Sequence, residues 1–489
     1  NMRLLLLSAT PMYNSYKEIV WLTNILNLVD KRSIIREEDV FDKDGNFLPL
    51  RKTKEGRELE GGRELLQRKL TGYISYVRGE NPYTFPYRIY PQVFSPENAI
   101  DLTNYPLTQM NLKPIDEPLG HIPVFTTSIG EYQSKCYDYI MFNLRTNLLK
   151  SSRERDMPSF ENMESFGYNT LQQPLEALNM VYPNEEFDNL FQEYIQNKQH
   201  IENLSNAQIA ENVKFDPKSL EIISNMVGKK GLAEIMTSKK IEKRADTSYS
   251  LRYDFDYKPE VLRSYGRIFN KENIGKYSSK IANICDSVMN SKGIIMIYSQ
   301  FIDGGIVPVA LALEELGFTR FGSASHTRSL LKKQNPPIEQ IDAVAMKKRG
   351  EFFANIEERE DEVFHPAKYV MITGDQSFSP NNLEDIKYIT GDDNRNGENV
   401  KVVLITKAGA EGLDFKNIRQ IHILEPWYNM NRIEQMIGRG VRNLSHCKLP
   451  FEERNVEIYL YGTLPRNQEE TADMYVYRFA EKKAIQIGK

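Results

Sequence analysis

The chain has 489 residues, which at about 150 residues per domain indicates roughly two to four domains. Apolar residues make up 40% and aromatic ones 11%, enough for real cores and too many for a mainly disordered chain. With 63 basic against 67 acidic side chains the net charge is −4, which excludes a histone-like polyanion binder but not a local basic groove.

The opening Met2–Leu7 reads as a short buried strand closed by the turn Ser8-Ala9-Thr10-Pro11. Its apolar run is too short for a secretory core of roughly 7–15 residues or a membrane span of about 20. No later stretch could span a bilayer, so no membrane partner is expected. Ile19, Leu22, Ile25, Leu26 and Val29 recur at helical spacing and predict a helix. Residues 31–64 read as charged loop and helix, and 65–77 as apolar and periodic again. Pro82, Pro86 and Pro91 hold the next segment extended. Residues 92–285 change composition, rich in Asn, Gln, Glu and Tyr with helical periodicity, and read as a mainly helical insertion without strong strands. Within it, 228–244 (GKKGLAEIMTSKKIEKR) carries six basic and two acidic side chains. A solvated helix face and a phosphate-contacting one fit that segment equally well.

From Lys292 the pattern alternates strand and helix. Strands are predicted at 293–299, 369–373, 400–406, 418–424 and 456–461. Helices are predicted at 306–316, ending on Gly317, and at 431–441 and 471–485. Continuous apolar strands separated by helices indicate a parallel sheet covered on both faces. Two acidic or flexible insertions are expected to interrupt it, at about 327–365 and 390–399. Cys136, Cys285 and Cys447 form neither a disulfide framework nor a CxxC knuckle, which favours a reducing compartment. The six histidines show no metal-ligand spacing, so no metal site is expected.

Polar residues cluster where strands end, which is where open parallel sheets bind ligands. Ser8 and Thr10 leave the first strand at a tight proline turn, an arrangement a Ser/Thr turn also explains. Thr406, Gly409, Gly412 and Asp414 combine a hydroxyl, a carboxylate and glycines that let backbone approach a ligand. On the predicted helix 431–441, Gln435, Arg439 and Arg442 would share one face, with Ile433, Ile437 and Val441 behind it. Two guanidiniums and an amide on one stripe suit the charge that develops on a transferred phosphoryl group.

SATPM, IYSQF, TKAGAEGLDF and EPWYNMNRIEQMIGRGVR occur in that order, and they resemble motifs III, IV, V and VI of superfamily 2 helicase-type ATPases of the Swi/Snf branch. GYISYVRGENPYTFP, LQQPLEALNMVYPN and the tail from Leu460 resemble more closely the DNA-dependent ATPases of poxviruses and giant cytoplasmic DNA viruses. That group includes the early transcription factor small subunit and nucleoside triphosphatase I. The resemblance implies an α/β fold of RecA-like parallel sheets flanked by helices. Residues 1–91 would close the first lobe, of which only part is present, 92–285 would be a helical insertion, and 286–489 a nearly complete second lobe.

It further implies ATP and Mg2+ as cofactors, with Arg439 and Arg442 on the γ-phosphate and Gln435 orienting water or sensing phosphate. Thr406, Gly409, Glu411, Gly412 and Asp414 would line the cleft, while Ser8 and Thr10 couple hydrolysis to lobe closure. Ser299, Gln300, Lys229, Lys230, Lys239 and Lys240 would contact nucleic acid. The implied partners are duplex DNA and a viral RNA polymerase or larger transcription-factor subunit, in the host cytoplasm or the virion. The sequence departs from the pattern in one respect: it contains neither GxxxxGK[ST] nor a DExH-type box ending a strand. The chain alone is therefore expected to be inactive, and both ends read as cut from a longer protein. Two alternatives remain, a termination-type triphosphatase and a non-catalytic DNA-binding or assembly subunit.

Overall fold

Short runs made almost wholly of β-branched and aliphatic residues form the centre of the protein. The computed structural model describes residues 4–8, 10–52, 58–76, 79–110, 112–150, 163, 167–202, 217–241, 252–322, 329–332, 334–354, 363–375, 377–379, 382–410 and 412–488. Eight strands build one sheet: β1 (Tyr87–Ile89), β2 (Val124–Ser128), β3 (Ile294–Tyr298), β4 (Thr319–Arg320), β5 (Lys368–Ile372), β6 (Val402–Ile405), β7 (Ile418–Ile423) and β8 (Asn455–Leu464). Their order is β1-β8-β7-β3-β6-β5-β4, with β2 also paired to β8, and every pairing is parallel. Every residue of β3 and β6 is buried. A parallel sheet covered on both faces requires such runs, because neither face offers a place for alternating polar residues. The helix Val307–Leu316 ends, as its sequence predicts, on left-handed Gly317. The fold is thus α/β, as the strand pattern indicates.

The chain forms two units, one of Asn1–Glu80, Asn429–Glu434 and Phe479–Lys489, the other of Asn81–Tyr428 and Gln435–Arg478. In the first unit the helix Glu18–Val29 buries Val20, Thr23 and Asn27, a face rotated from the predicted one. Asn27 lies on that face, its Nδ2 donating to the carbonyls of Thr23 and Lys69. Val20 packs with Ile35, Val40, Phe41 and Leu66. Of the strand expected at 2–7, Met2 and Arg3 lie outside the described residues, while Leu4–Leu7 have no regular structure, with Leu5 and Leu7 79% and 86% exposed. An apolar run becomes a strand only where a neighbour accepts its hydrogen bonds, and no described strand does so.

In the second unit two expectations need correction. The segment read as lacking strong strands contains β2, which pairs with the second half of β8, while β1 pairs with the first half. Both are short and follow prolines, so neither shows the apolar run that marks β3 or β6. The basic stretch is not one helix: Gly228–Ile235 is helical, and Met236–Ile241 is a strand antiparallel to Arg252–Tyr257. The loop at 390–399, expected as an acidic or flexible insertion, is acidic and is tied down by hydrogen bonds. Its buried Asn394 donates to the Ile389 and Val400 carbonyls and accepts from the Asn399 and Val400 amides.

No helix among the described residues is long and apolar enough to cross a membrane. The deepest polar contact is the ion pair of Lys280 with Asp473, 2.9 Å apart with both side chains fully buried. Lys280 also donates to the Leu424 carbonyl and to Asn179 Oδ1, and Asp473 accepts from Thr463. Truncating one partner strands the other charge, so Asp473→Ala should cost about 3–5 kcal/mol. Lys280→Met with Asp473→Leu should cost less than Asp473→Ala alone. Urea denaturation of the three proteins checks both expectations.

Candidate functional site

The carboxyl ends of β5, β6, β7 and β3 hold most of the polar groups that the sequence singles out. Thr406 follows β6 and donates its amide to the Ile372 carbonyl at the end of β5. Its hydroxyl is buried and has no hydrogen-bond partner among the described residues. Gly409 lies so close to β5 that a Cβ there would sit 2.1 Å from the Ile372 carbonyl oxygen, and Gly412 holds φ at +76°. Both glycines are therefore required by the path of the loop. Glu411 lies outside the described residues.

The predicted helix 431–441 stops early, at Met430–Ile437. Gly438 and Gly440 weaken it, and Gly440 must pass against β7, where a Cβ would meet Ile421 at 3.1 Å and Ile418 at 3.2 Å. Ile433, Ile437 and Val441 are buried as expected. Gln435 is exposed on the last helical turn, whereas Arg439 and Arg442 lie in the turns beyond it. The three do not share one helical stripe, and the arginines are aimed by contacts with the loop after β6 instead. The Phe415 amide donates to the Arg439 carbonyl at 3.1 Å, and Arg439 Nη1 donates to the Leu413 carbonyl at 3.3 Å. Arg442 Nη1 meets Asp414 Oδ1 at 2.7 Å, and its Nε donates to the Gly438 carbonyl at 2.9 Å. Arg439 Nε is buried without a partner among the described residues.

Ser8 accepts the Thr10 amide at 3.1 Å in an exposed turn, the local Ser/Thr arrangement that the sequence also allowed. Just after it, within the same unit, Asn429 and Asn431 donate to the Tyr13 and Met12 carbonyls. Ser299, expected to contact nucleic acid, is fully buried and donates to Glu425, so it faces a buried carboxylate rather than solvent. Lys229, Lys230 and Gln300, distant in sequence, line one cavity of about 400 Å3 with Gln172, Glu176 and Asp303. Burial raises the Glu176 and Asp303 carboxyls, and Lys229 opposes the shift at Asp303. Of Lys239 and Lys240 only the backbone is described, in the strand Met236–Ile241.

Glu425 is the residue that sequence reasoning missed. Placed just after β7, its carboxylate accepts from Ser299 Oγ, the Gln300 amide and Asn179 Nδ2, joining three elements. The signal was an acidic residue directly after an apolar strand, in EPWYN. Burial pushes its carboxyl up to about 7 against those donors and Lys280. No three His, Cys, Asp or Glu side chains converge as metal ligands among the described residues.

The site thus consists of laced loops at the carboxyl edge of a parallel sheet, with two arginines aimed from a glycine turn. Residues 352–443 match the helicase conserved C-terminal domain. The chain is similar to helicase-type proteins of large DNA viruses. A protein of African swine fever virus named Termination factor NPH-I homolog is 32% identical over 192 residues, covering 38% of this chain and 26% of that protein. Two Acanthamoeba polyphaga mimivirus proteins align over nearly the whole chain. Putative ATP-dependent RNA helicase L377 is 22% identical, covering 99% of this chain and 37% of that protein, and R563 is 23% identical, covering 94% and 54%. The chain thus spans from about a quarter to about half of the length of these relatives.

Glu425 gives this site a pH signature. Between its ordinary 4.5 and about 7 it binds more protons folded than unfolded, so its contribution to stability falls as pH rises through that window. Glu314, also raised to about 7 by burial, adds a second such slope. Thermal melts at pH 5, 6, 7 and 8 should show Glu425→Gln losing less stability between pH 5 and 7 than the parent. The slope owed to Glu314 should persist.

Proposed function

We propose that residues 1–489 supply the arginine-bearing half of a DNA-dependent ATPase that moves on duplex DNA during viral transcription. The observation that carries this reading is the lacing of Leu413–Phe415 to Gly438–Arg442, inside the span that matches the helicase C-terminal domain. As the phosphoryl group transfers, negative charge grows on its oxygens, and guanidinium forks placed there lower the barrier. Arg439, with a buried Nε still unpartnered, is the leading donor, and Arg442 stands beside it. Gln435 would orient water. The unpartnered Thr406 hydroxyl would meet ATP or couple the cleft to DNA, and Ser8 and Thr10 would relay closure. The phosphate loop and the Mg2+ carboxylate would come from residues other than these 489.

Lys229, Lys230 and Gln300 around one cavity support contact with a nucleic-acid backbone, and Glu176 and Asp303 temper its positive potential. The partners in this reading would be a viral polymerase or a larger transcription-factor subunit, in the host cytoplasm or the virion. The name of the African swine fever virus relative favours a termination-type role over an initiation one.

Three outcomes test the reading. Purified residues 1–489 with ATP, magnesium and duplex DNA should show no turnover near 1 per second, the low end of ordinary enzymes. In the full-length gene product, Arg439→Ala should cut DNA-stimulated turnover by roughly 10³–10⁵ with an unchanged melt, and Arg439→Lys should rescue little. Retention of more than about a tenth of parental turnover removes the catalytic role. Replacing Lys229 and Lys230 by Ala should flatten the salt dependence of DNA affinity by about two units if both touch phosphates. An unchanged slope makes them a solvated face.

A further inference from the structure

The two arginines beyond the helix Met430–Ile437 are held differently. Arg439 reaches the backbone of the loop after β6, through the Leu413 carbonyl, and keeps Nε uncommitted. Arg442 is held at two points, Nη1 by Asp414 at 2.7 Å and Nε by the Gly438 carbonyl at 2.9 Å. Asp414 sits between Leu413 and Phe415, and the backbones of both are bonded to Arg439. Its carboxylate therefore stands where the two segments are already fixed to each other, facing the Arg442 guanidinium.

A bridge this exposed, at 41% and 61% of the two side chains, contributes little to folding. Its effect is on direction. A guanidinium fastened at Nε and at one Nη has its plane fixed, leaving the other Nη free to point elsewhere. We propose that Asp414 is a positioning residue, which aims the Arg442 guanidinium before nucleotide arrives and touches neither ATP nor DNA itself. This rests on the reading of Arg439 and Arg442 as γ-phosphate donors, and it replaces the expectation that Asp414 lines the cleft as a contact. Its consequence is a division within one loop. Thr406 brings an unpartnered hydroxyl toward a ligand, whereas Asp414 spends its charge on the neighbouring segment.

The experiment uses the full-length gene product and measures kcat, KM for ATP, affinity for a non-hydrolysable ATP analogue, and thermal melts. Asp414→Ala should lower kcat about ten- to a hundredfold, the scale of a misaimed catalytic group. KM, analogue affinity and melting temperature should stay within about twofold or a degree or two of the parent. Asp414→Glu should restore part of kcat. In an Arg442→Ala background, Asp414→Ala should cost less than about a further twofold, because its role passes through Arg442. Independent multiplication of the two losses overturns the proposal, as does a loss confined to KM and analogue affinity, the mark of direct nucleotide contact. A melt lowered in step with activity also overturns it, by making the bridge structural. If Arg442→Ala and Arg439→Ala both leave turnover intact, the γ-phosphate reading fails instead, and the two failures are told apart by that control.

Discussion

A single buried ammonium organises the second unit. Lys280, from the helix Ser279–Met289, is fully buried and can be charged there only because Asp473, Asn179 and the Leu424 carbonyl surround it. Removing an ion from water costs several kcal/mol, so this position tolerates no loosening of its partners. Each partner belongs to a different part of the chain: Asp473 to the final helix, Asn179 to the helix Gln172–Asn179 and Leu424 to the end of β7. Asn179 passes the constraint on, since its amide nitrogen donates to Glu425 while its oxygen accepts from Lys280. Glu425 in turn fixes Ser299 and Gln300 after β3. One chain of hydrogen bonds thus sets the carboxyl edge of the central strands, where the candidate site lies.

Polar satisfaction at that edge separates groups that hold the fold from groups available to a ligand. Ser299 and Glu425 are spent on each other, whereas Thr406 Oγ1 and Arg439 Nε are buried without partners among the described residues. Buried polar groups left unmatched cost free energy, so these two are the ones a ligand could complete. The glycines serve the same end. Gly409 and Gly440 let two loops come nearer to strands than any side chain would permit, and the loops then lace to each other.

Much of this was legible in sequence. The apolar runs of β3, β5, β6 and β7 announced a parallel sheet, because nothing else buries such runs on both faces. Thr406, Arg439 and Arg442 were visible as polar residues at strand and helix ends. What was not legible depended on distant partners. Tyr87–Ile89 and Val124–Ser128 are strands only because β8 is long enough to pair with both. Asn27, on the buried face of the first helix, donates to Lys69, forty-two residues away. Helical periodicity placed Gln435, Arg439 and Arg442 on one stripe. It could not register that β7 lies close enough to Gly440 to end the helix first. Ser299 looked exposed because its partner, Glu425, lies far along the chain.

The central claim is that the laced turn carrying Arg439 and Arg442 faces the γ-phosphate of ATP in the working enzyme. The direct measurement is a structure of the full-length gene product bound to duplex DNA, ADP and aluminium fluoride, which mimics the transferring phosphoryl group. The account predicts Arg439 nitrogens within hydrogen-bond distance of the fluoride, about 2.7–3.2 Å, with the Leu413–Phe415 lacing retained. A fluoride with no guanidinium from this turn within that distance would contradict it.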